Sequence, residues 1–597
     1  MASFETGAKV HTATFSGIET TDFEADMVIV GAGAAGAAIA RECAGAPFSV
    51  LILESGVEAE NEAHAALNTV ESVGDPCSPA QIAKRQAFHG AQAAFWRHEQ
   101  QPFGVRCRVL GGSTAAWAGK SAAFDPIDFA ERPWAAHTGW PFGRQELEPF
   151  LDRAGEHLNL GPHCYGSDFW ARYPGGEPAP RFPQDRLTPF FWQFARSRID
   201  PLDVMRVGPE LARLSAPNVR LLTDATVTEV LTDETGHKAR GVRIASLSGK
   251  RGEVRAKIVV LAASGIENPR LLLASRAVHA TGLGNAHDHV GRFLMDHPSA
   301  RIAHFRQADI AKVQRRFGFF GLTDGGRTHM YMHGLALSPA LQEREGLLNC
   351  AMYVMAENAP DDPWPALKRL LKGKWRTAPA DLWAVMKSPG LFFTGLGMAI
   401  LQSPRTPEPL KALIVNAAIA LNPNFVAQEF MSRGLPHKIV GLNIDAISEQ
   451  APDPDSRITL GETVDPFGVP RARIDWRLQP EAAHSLRRLA LLIQEEFPKA
   501  GLPAPVLEPW VESGRLEDAV IIDMAHTLGA TRMADRPERG VVDPQCQVFG
   551  VEGLYVAGGS VFPTSGHANP TLMITALAVR LADHLKARMS LTMEQAA

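Results

Sequence analysis

Residues 26–56, DMVIVGAGAAGAAIARECAGAPFSVLILESG, constrain the fold more tightly than any other part of the chain. The run Val28, Ile29 and Val30 reads as a buried parallel strand, and the alanine-rich segment after the glycines reads as a helix. A second apolar strand, SVLILE, follows. Between strand and helix, Gly31, Gly33 and Gly36 are spaced G-x-G-x-x-G. The first glycine permits a tight turn, the second lets backbone approach a pyrophosphate, and the third lets the helix pack closely on the strand. The helix N-terminus then offers free N–H groups to phosphates. Glu54 closes the second strand at the position where a carboxylate accepts hydrogen bonds from ribose hydroxyls. A glycine-rich turn that merely packs a βα unit would account for the glycines but has no need of Glu54. The stretch therefore predicts a dinucleotide-binding βαβ unit, without choosing between NAD and FAD.

A chain of 597 residues is longer than one hydrophobic core supports, so two domains or a two-lobed body are expected. The net charge of -5 gives no reason to expect nucleic acid as a partner. The six cysteines are scattered with no C-x-x-C pairing, which predicts neither a zinc or other metal site nor a disulfide framework. Residues 1–26 carry no basic n-region, apolar h-region or twin arginine, so a cytoplasmic enzyme is expected. The longest apolar stretch, LFFTGLGMAILQ at 391–402, is shorter than the ~20 residues that span a bilayer as a helix. Upstream, Lys368, Arg369, Lys372, Lys374 and Arg376 lie among leucines and Trp375. That pattern would suit contact with an anionic membrane surface, but a solvated amphipathic helix is the commoner origin of it and is the reading preferred.

Three further stretches carry chemistry. RCRVLGGSTAAWAGKSAAFDPIDF, at 106–129, brings Gly111, Gly112, Ser113 and Thr114 together, a small-residue loop that lets backbone approach a flat ligand. KIVVLAASGIENPRLLLAS, at 257–275, reads as another strand, turn and helix of the same parallel sheet. The third is 525–585, containing HTLGATRM and GLYVAGGSVFPTSGHANPT. With VGAGAAG, VLGGST and VGRFLMDHP, these pieces resemble, in order, the glucose-methanol-choline (GMC) oxidoreductases, FAD-dependent enzymes that oxidise alcohols. GWPF and the NPT ending look closest to the bacterial, pyranose-oxidase-like branch, whose members often act on sugars or other secondary alcohols.

The resemblance implies that His526, at the head of HTLGATRM, is the general base and that Asn569 is its partner. Chemistry gives such a pair separate tasks: a neutral imidazole takes the hydroxyl proton, and an amide N–H donates to the developing alkoxide. Flavin accepts the hydride. Asn569, Pro570 and Thr571 also suit a helix start whose dipole faces the flavin. Val227 and Ala263 are assigned to the cofactor site as well. His567 and Trp117 are secondary candidates for contact with substrate or flavin, and His297 is read as structural.

Where covalently flavinylated relatives carry a histidine, this chain has Ala116, which predicts FAD bound without a covalent link. Ala530 and Ala534 replace common glycines without expected loss of binding. The implied class is α/β (α+β overall): a Rossmann-like, discontinuous FAD-binding domain from residues 1–160, 216–300 and 516–597, and a substrate domain from 161–215 and 301–515. The substrate domain is expected on an antiparallel sheet to which 456–478 contribute two strands, with a lid insertion near 360–435. The expected reaction is oxidation of a sugar, glycoside or other bulky alcohol, with oxygen or another electron acceptor regenerating the flavin. A non-redox relative that keeps FAD, a lyase or photodecarboxylase, is the alternative.

Overall fold

The computed structural model describes residues 10–596 apart from 75–76, 164, 174–175, 202, 359–377, 387–400, 402, 404, 425 and 427–438. Most of the expected lid insertion, and the basic run at 368–376, lie outside the described residues.

Two eight-stranded sheets organise the chain. In the first, Phe23–Val30 lies between Val50–Leu53 and Arg251–Leu261, all parallel. Val219–Thr223 and then His11–Thr14 extend the parallel side. Leu554–Val556 pairs with the end of Arg251–Leu261, whose beginning pairs antiparallel with Ala239–Ala245. Met27–Val30 and Val50–Leu53 are buried throughout, as expected where both faces of a sheet are covered and no polar alternation is needed. One covering element is the helix Ala34–Glu42, which packs against the C-terminal helix Thr571–Ala596.

The second sheet is antiparallel and runs, edge to edge, through Val506–Leu507, Ser299–Phe305, Ile439–Ser448, Cys350–Asn358, Arg327–Leu337, Leu187–Phe194 and Lys120–Ser121. Its alternation has a clear physical use. Met352 and Val354 point into a core shared with Leu486, Leu489, Ile493 and Phe497 of the helix Pro480–Lys499. Tyr353 and Met355 point the other way and line a cavity between this sheet and the first.

The two strands expected at 456–478 form, as Arg457–Val464 and Pro470–Asp475, but they do not join the large antiparallel sheet. They make a separate three-stranded sheet in which Pro470–Asp475 pairs parallel with Glu71–Val73. The reason lies in what they find there. Ile458, Ala472 and Ile474 pack on Phe103, Ile266 and Leu294, and the Glu71 carboxylate accepts the Thr463 N–H at 2.8 Å. Among the described residues no helix is long and apolar enough to cross a membrane, and Cys43, Cys77, Cys107, Cys350 and Cys546 are free.

Candidate active site

A cavity of about 450 Å³ runs from the turn after Phe23–Val30 to the antiparallel sheet. At its first end the three glycines divide their tasks as their spacing predicts. Gly31 has φ +104°, and a Cβ there would lie 2.5 Å from the Ala262 carbonyl oxygen. A Cβ on Gly36 would lie 2.0 Å from the Gly31 carbonyl oxygen, so Gly36 serves the packing of helix on turn and stands back from the cavity. Gly33 is on the wall, with open space where its side chain would be. Glu54 is buried beside it. Its two oxygens accept the N–H groups of Ala32 at 2.9 Å and Gly56 at 2.8 Å, which leaves each oxygen capacity for a hydroxyl donor.

Gly112, Ser113, Thr114, Ala116 and Trp117 continue the wall, and Val227 and Ala263 also line it. Gly111 does not: at φ +95° it makes the turn, and a Cβ there would lie 2.4 Å from the Gly208 nitrogen. The Trp117 indole donates to the Met205 carbonyl at 2.6 Å, which fixes the ring at the cavity edge. Glu267, also on the wall, is shared by Arg106, Arg108 and Arg270. Burial alone would raise its pKa, but Arg270, Arg108 and Arg106 together hold the carboxyl well below the usual carboxylate range.

His526, Asn569, Pro570 and Thr571 meet at the far end. The Asn569 Nδ2 is 3.3 Å from His526 Nε2, and its buried Oδ1 has no partner among the described residues. On the opposite side of the ring, His526 Nδ1 lies 2.8 Å from Nδ1 of His297, whose Nε2 lies 2.9 Å from the Ser565 carbonyl oxygen. This chain of contacts assigns the protons. A carbonyl only accepts, so His297 carries its proton on Nε2 and presents a lone pair at Nδ1. His526 must then donate from Nδ1, which leaves the lone pair of its Nε2 facing Asn569 and the cavity. Both rings are neutral: burial pushes His297 down to about 4, and burial, His297 and Lys120 hold His526 well below the ordinary histidine value.

The main chain fixes the pair as firmly as the side chains do. The buried Asp296 carboxylate accepts the N–H groups of His297 at 2.7 Å, Met524 at 2.8 Å and His526 at 2.8 Å. Ala525, between the last two, is held at φ 60°, a conformation that an L-residue adopts only when its surroundings impose it.

His297, read from sequence as structural, therefore touches His526 directly. His567 does the opposite: it is fully buried behind the wall, its ring centroid 4.4 Å from that of Phe190, and neither ring nitrogen has a partner among the described residues. Lys120, Tyr353 and Asp445, which the sequence did not single out, line the same end. Asp296 preceding His297 was the one local hint of a polar cluster, but nothing near it in the chain shows which residue His297 faces.

Residues 210–299 and 452–578 match N- and C-terminal family models, each described as GMC oxidoreductase. The chain belongs to the GMC oxidoreductases. Over 95% of its length this GMC oxidoreductase is 24% identical to 6'''-hydroxyparomomycin C oxidase of Streptomyces lividus, covering 93% of that protein. It is also 24% identical to 2-methyl-1,2-propanediol dehydrogenase of Mycolicibacterium austroafricanum, over 81% of this chain and 82% of that one. In fold it is similar to the formate oxidase of Aspergillus oryzae RIB40, with a TM-score of 0.52 and 18% identity over 95% of this chain and 99% of the other.

GMC oxidoreductases are FAD-binding flavoproteins, and the residues of this cavity fit FAD. Gly33 and Gly558 both line the wall with no atom where a Cβ would project, so backbone is open to close approach on two sides. Glu54 has acceptor capacity for ribose hydroxyls. The helices beginning at Ala34 and Thr571 both present N-termini to the cavity.

Proposed function

We infer that this GMC oxidoreductase oxidises the hydroxyl of a sugar, glycoside or similarly bulky alcohol to a carbonyl. The observation that carries the reading is the pairing of His526 Nε2 with Asn569 Nδ2 at 3.3 Å on the cavity wall. His526 Nε2, kept unprotonated and aimed at the cavity, receives the hydroxyl proton. Asn569 Nδ2 donates to the oxygen as its charge develops, and His297 holds the ring in the tautomer that leaves Nε2 free. FAD, when bound, supplies the hydride acceptor, which oxygen or another electron acceptor then regenerates. Residues 1–160, 216–300 and 516–597 are the proposed FAD-binding unit, and the antiparallel sheet is the proposed substrate wall. The oxidase acting on a hydroxyparomomycin supports a sugar-like alcohol, and the diol dehydrogenase supports a hydroxyl substrate more broadly. A cytoplasmic location is proposed with it, supported by the free state of all five described cysteines.

The test is anaerobic absorbance of the purified protein against sugars, glycosides, and aromatic and aliphatic alcohols. The expected result is a yellow protein whose flavin absorbance bleaches with members of the sugar or glycoside set. A yellow protein that no alcohol bleaches would overturn the reading in favour of a non-redox relative.

The FAD is proposed to be non-covalent. Ala116 lies on the wall and offers no nucleophile for a histidyl bond. Acid or heat denaturation is expected to release all flavin absorbance into the supernatant. Flavin retained on the precipitated polypeptide would refute this.

A further inference from the structure

Lys120 stands on the edge strand Lys120–Ser121, paired with Phe194, and its side chain reaches the cavity wall. The ammonium lies 3.6 Å from the centroid of the Tyr353 ring and 4.3 Å from that of Trp192. Among the described residues it has no hydrogen-bond acceptor and no carboxylate at ion-pair distance. The carboxylate whose charge does reach it is Asp445, on the same wall and paired in register with Tyr353.

Position and energetics both mark this group as open to a ligand. Its charge is felt at His526 and His567, which places it at the reacting end of the cavity and away from Gly33 and Glu54. An ammonium taken from water is costly unless a counter-charge replaces the water. Contact with two ring faces offsets part of that cost. Burial still pushes Lys120 down to about 7, with Asp445 opposing the shift only in part. An anion entering the cavity beside the two rings would supply the counter-charge that the described residues do not place within ion-pair distance.

We propose that Lys120 anchors a carboxylate carried by the alcohol substrate, so that the preferred substrates are acidic alcohols such as uronides and polyhydroxy acids. Asp445 on the same wall repels a dianion more than a monoanion, which favours a carboxylate over a phosphate. As a carboxylate on the cavity wall, Asp445 can also accept from a neighbouring substrate hydroxyl. The inference rests on the alcohol-oxidation reading of the same cavity.

Anaerobic titration calorimetry of the flavin-loaded enzyme tests it with matched pairs: methyl glucuronide and methyl glucoside, gluconate and sorbitol, glycerate and glycerol. In at least one pair the acid is expected to bind tenfold or more tighter than its neutral partner. Lys120→Met should bring that gap to within twofold, and Lys120→Arg should keep most of it. Lys120→Gln is read in the same way if the methionine variant does not hold flavin. Equal affinity within every pair, no binding of any acid, or a gap that survives loss of the charge overturns the proposal. Flavin bleaching, followed alongside, separates the two readings. A charge-dependent gap without bleaching keeps the carboxylate site and removes alcohol oxidation. Bleaching by neutral alcohols with no gap does the reverse.

Discussion

His526→Ala is expected to slow alcohol-driven flavin bleaching by about 10²–10⁴-fold, the range over which a positioned general base contributes. The loss should fall mainly on the maximal rate, because proton transfer to Nε2 belongs to the reacting state, whereas the wall that holds the substrate is built largely from other elements. Bound flavin, measured from absorbance, should remain, since the glycine turn and Glu54 are untouched. The pH profile gives a sharper signature. His526 is held well below the ordinary histidine pKa, so the fraction in the neutral, proton-accepting form stays near one as pH falls through about 6.5. Wild-type bleaching should therefore be level from neutral pH through that value and decline only in stronger acid. A rate that halves near pH 6.5, or an alanine variant as fast as wild type, would remove His526 as the base. His297→Leu should give a smaller loss, because the His526 Nδ1–H would then have no acceptor and the ring could settle in the wrong tautomer.

Glu267→Ala is expected to cost about 3–5 kcal/mol of stability, the usual consequence of leaving buried charges uncompensated. Three guanidiniums converge on this carboxylate, whose side chain is 11% exposed, while Arg106, Arg108 and Arg270 are each 10% exposed or less. Asp465 would still hold Arg270, but among the described residues Arg106 and Arg108 would have no other carboxylate at ion-pair distance. In a thermal ramp followed by flavin fluorescence the apparent Tm should fall by about 2–4 °C. The folded pKa of Glu267 lies below its unfolded value of about 4.3, so its contribution is fully present above that pH and is lost as pH falls through the folded value. The gap between variant and wild type should accordingly be constant from pH 8 to about 5 and close only in acid. A variant as stable as wild type at pH 7 would show that the arginines are solvated in place.

What the chain disclosed before folding follows the range of the interactions involved. Gly31, Gly33, Gly36 and Glu54 act within one βαβ unit, so local spacing carried their placement. The hairpin of 456–478 was legible as two alternating strands with a turn, but its third strand, Glu71–Val73, lies hundreds of residues earlier, and Val70 just before it shares a core with Phe103, Leu294 and Ile474. His297 and His526 also come from segments far apart in the chain, and no periodicity in either announces the other. Lys120 sits in a run of small residues that reads as loop, and only the antiparallel register brings it to Tyr353 and Trp192. His567, two residues from Asn569, shows the limit of proximity in sequence: the turn that brings Asn569 to the cavity sends His567 behind the wall.

The clamp made by Asp296 separates two things that could have depended on one another. Because a single carboxylate ties the main chain at His297, Met524 and His526, the position of the base is set by backbone, whereas the side chains facing it across the cavity project from the strands Cys350–Asn358 and Ile439–Ser448. Substitutions on those strands can reshape what the enzyme accepts without displacing the atom that performs the chemistry. A library confined to cavity-facing positions such as Tyr353, Met355 and Asp445 thus searches substrate range while leaving the proton acceptor where it is, a division of labour suited to divergence and to redesign.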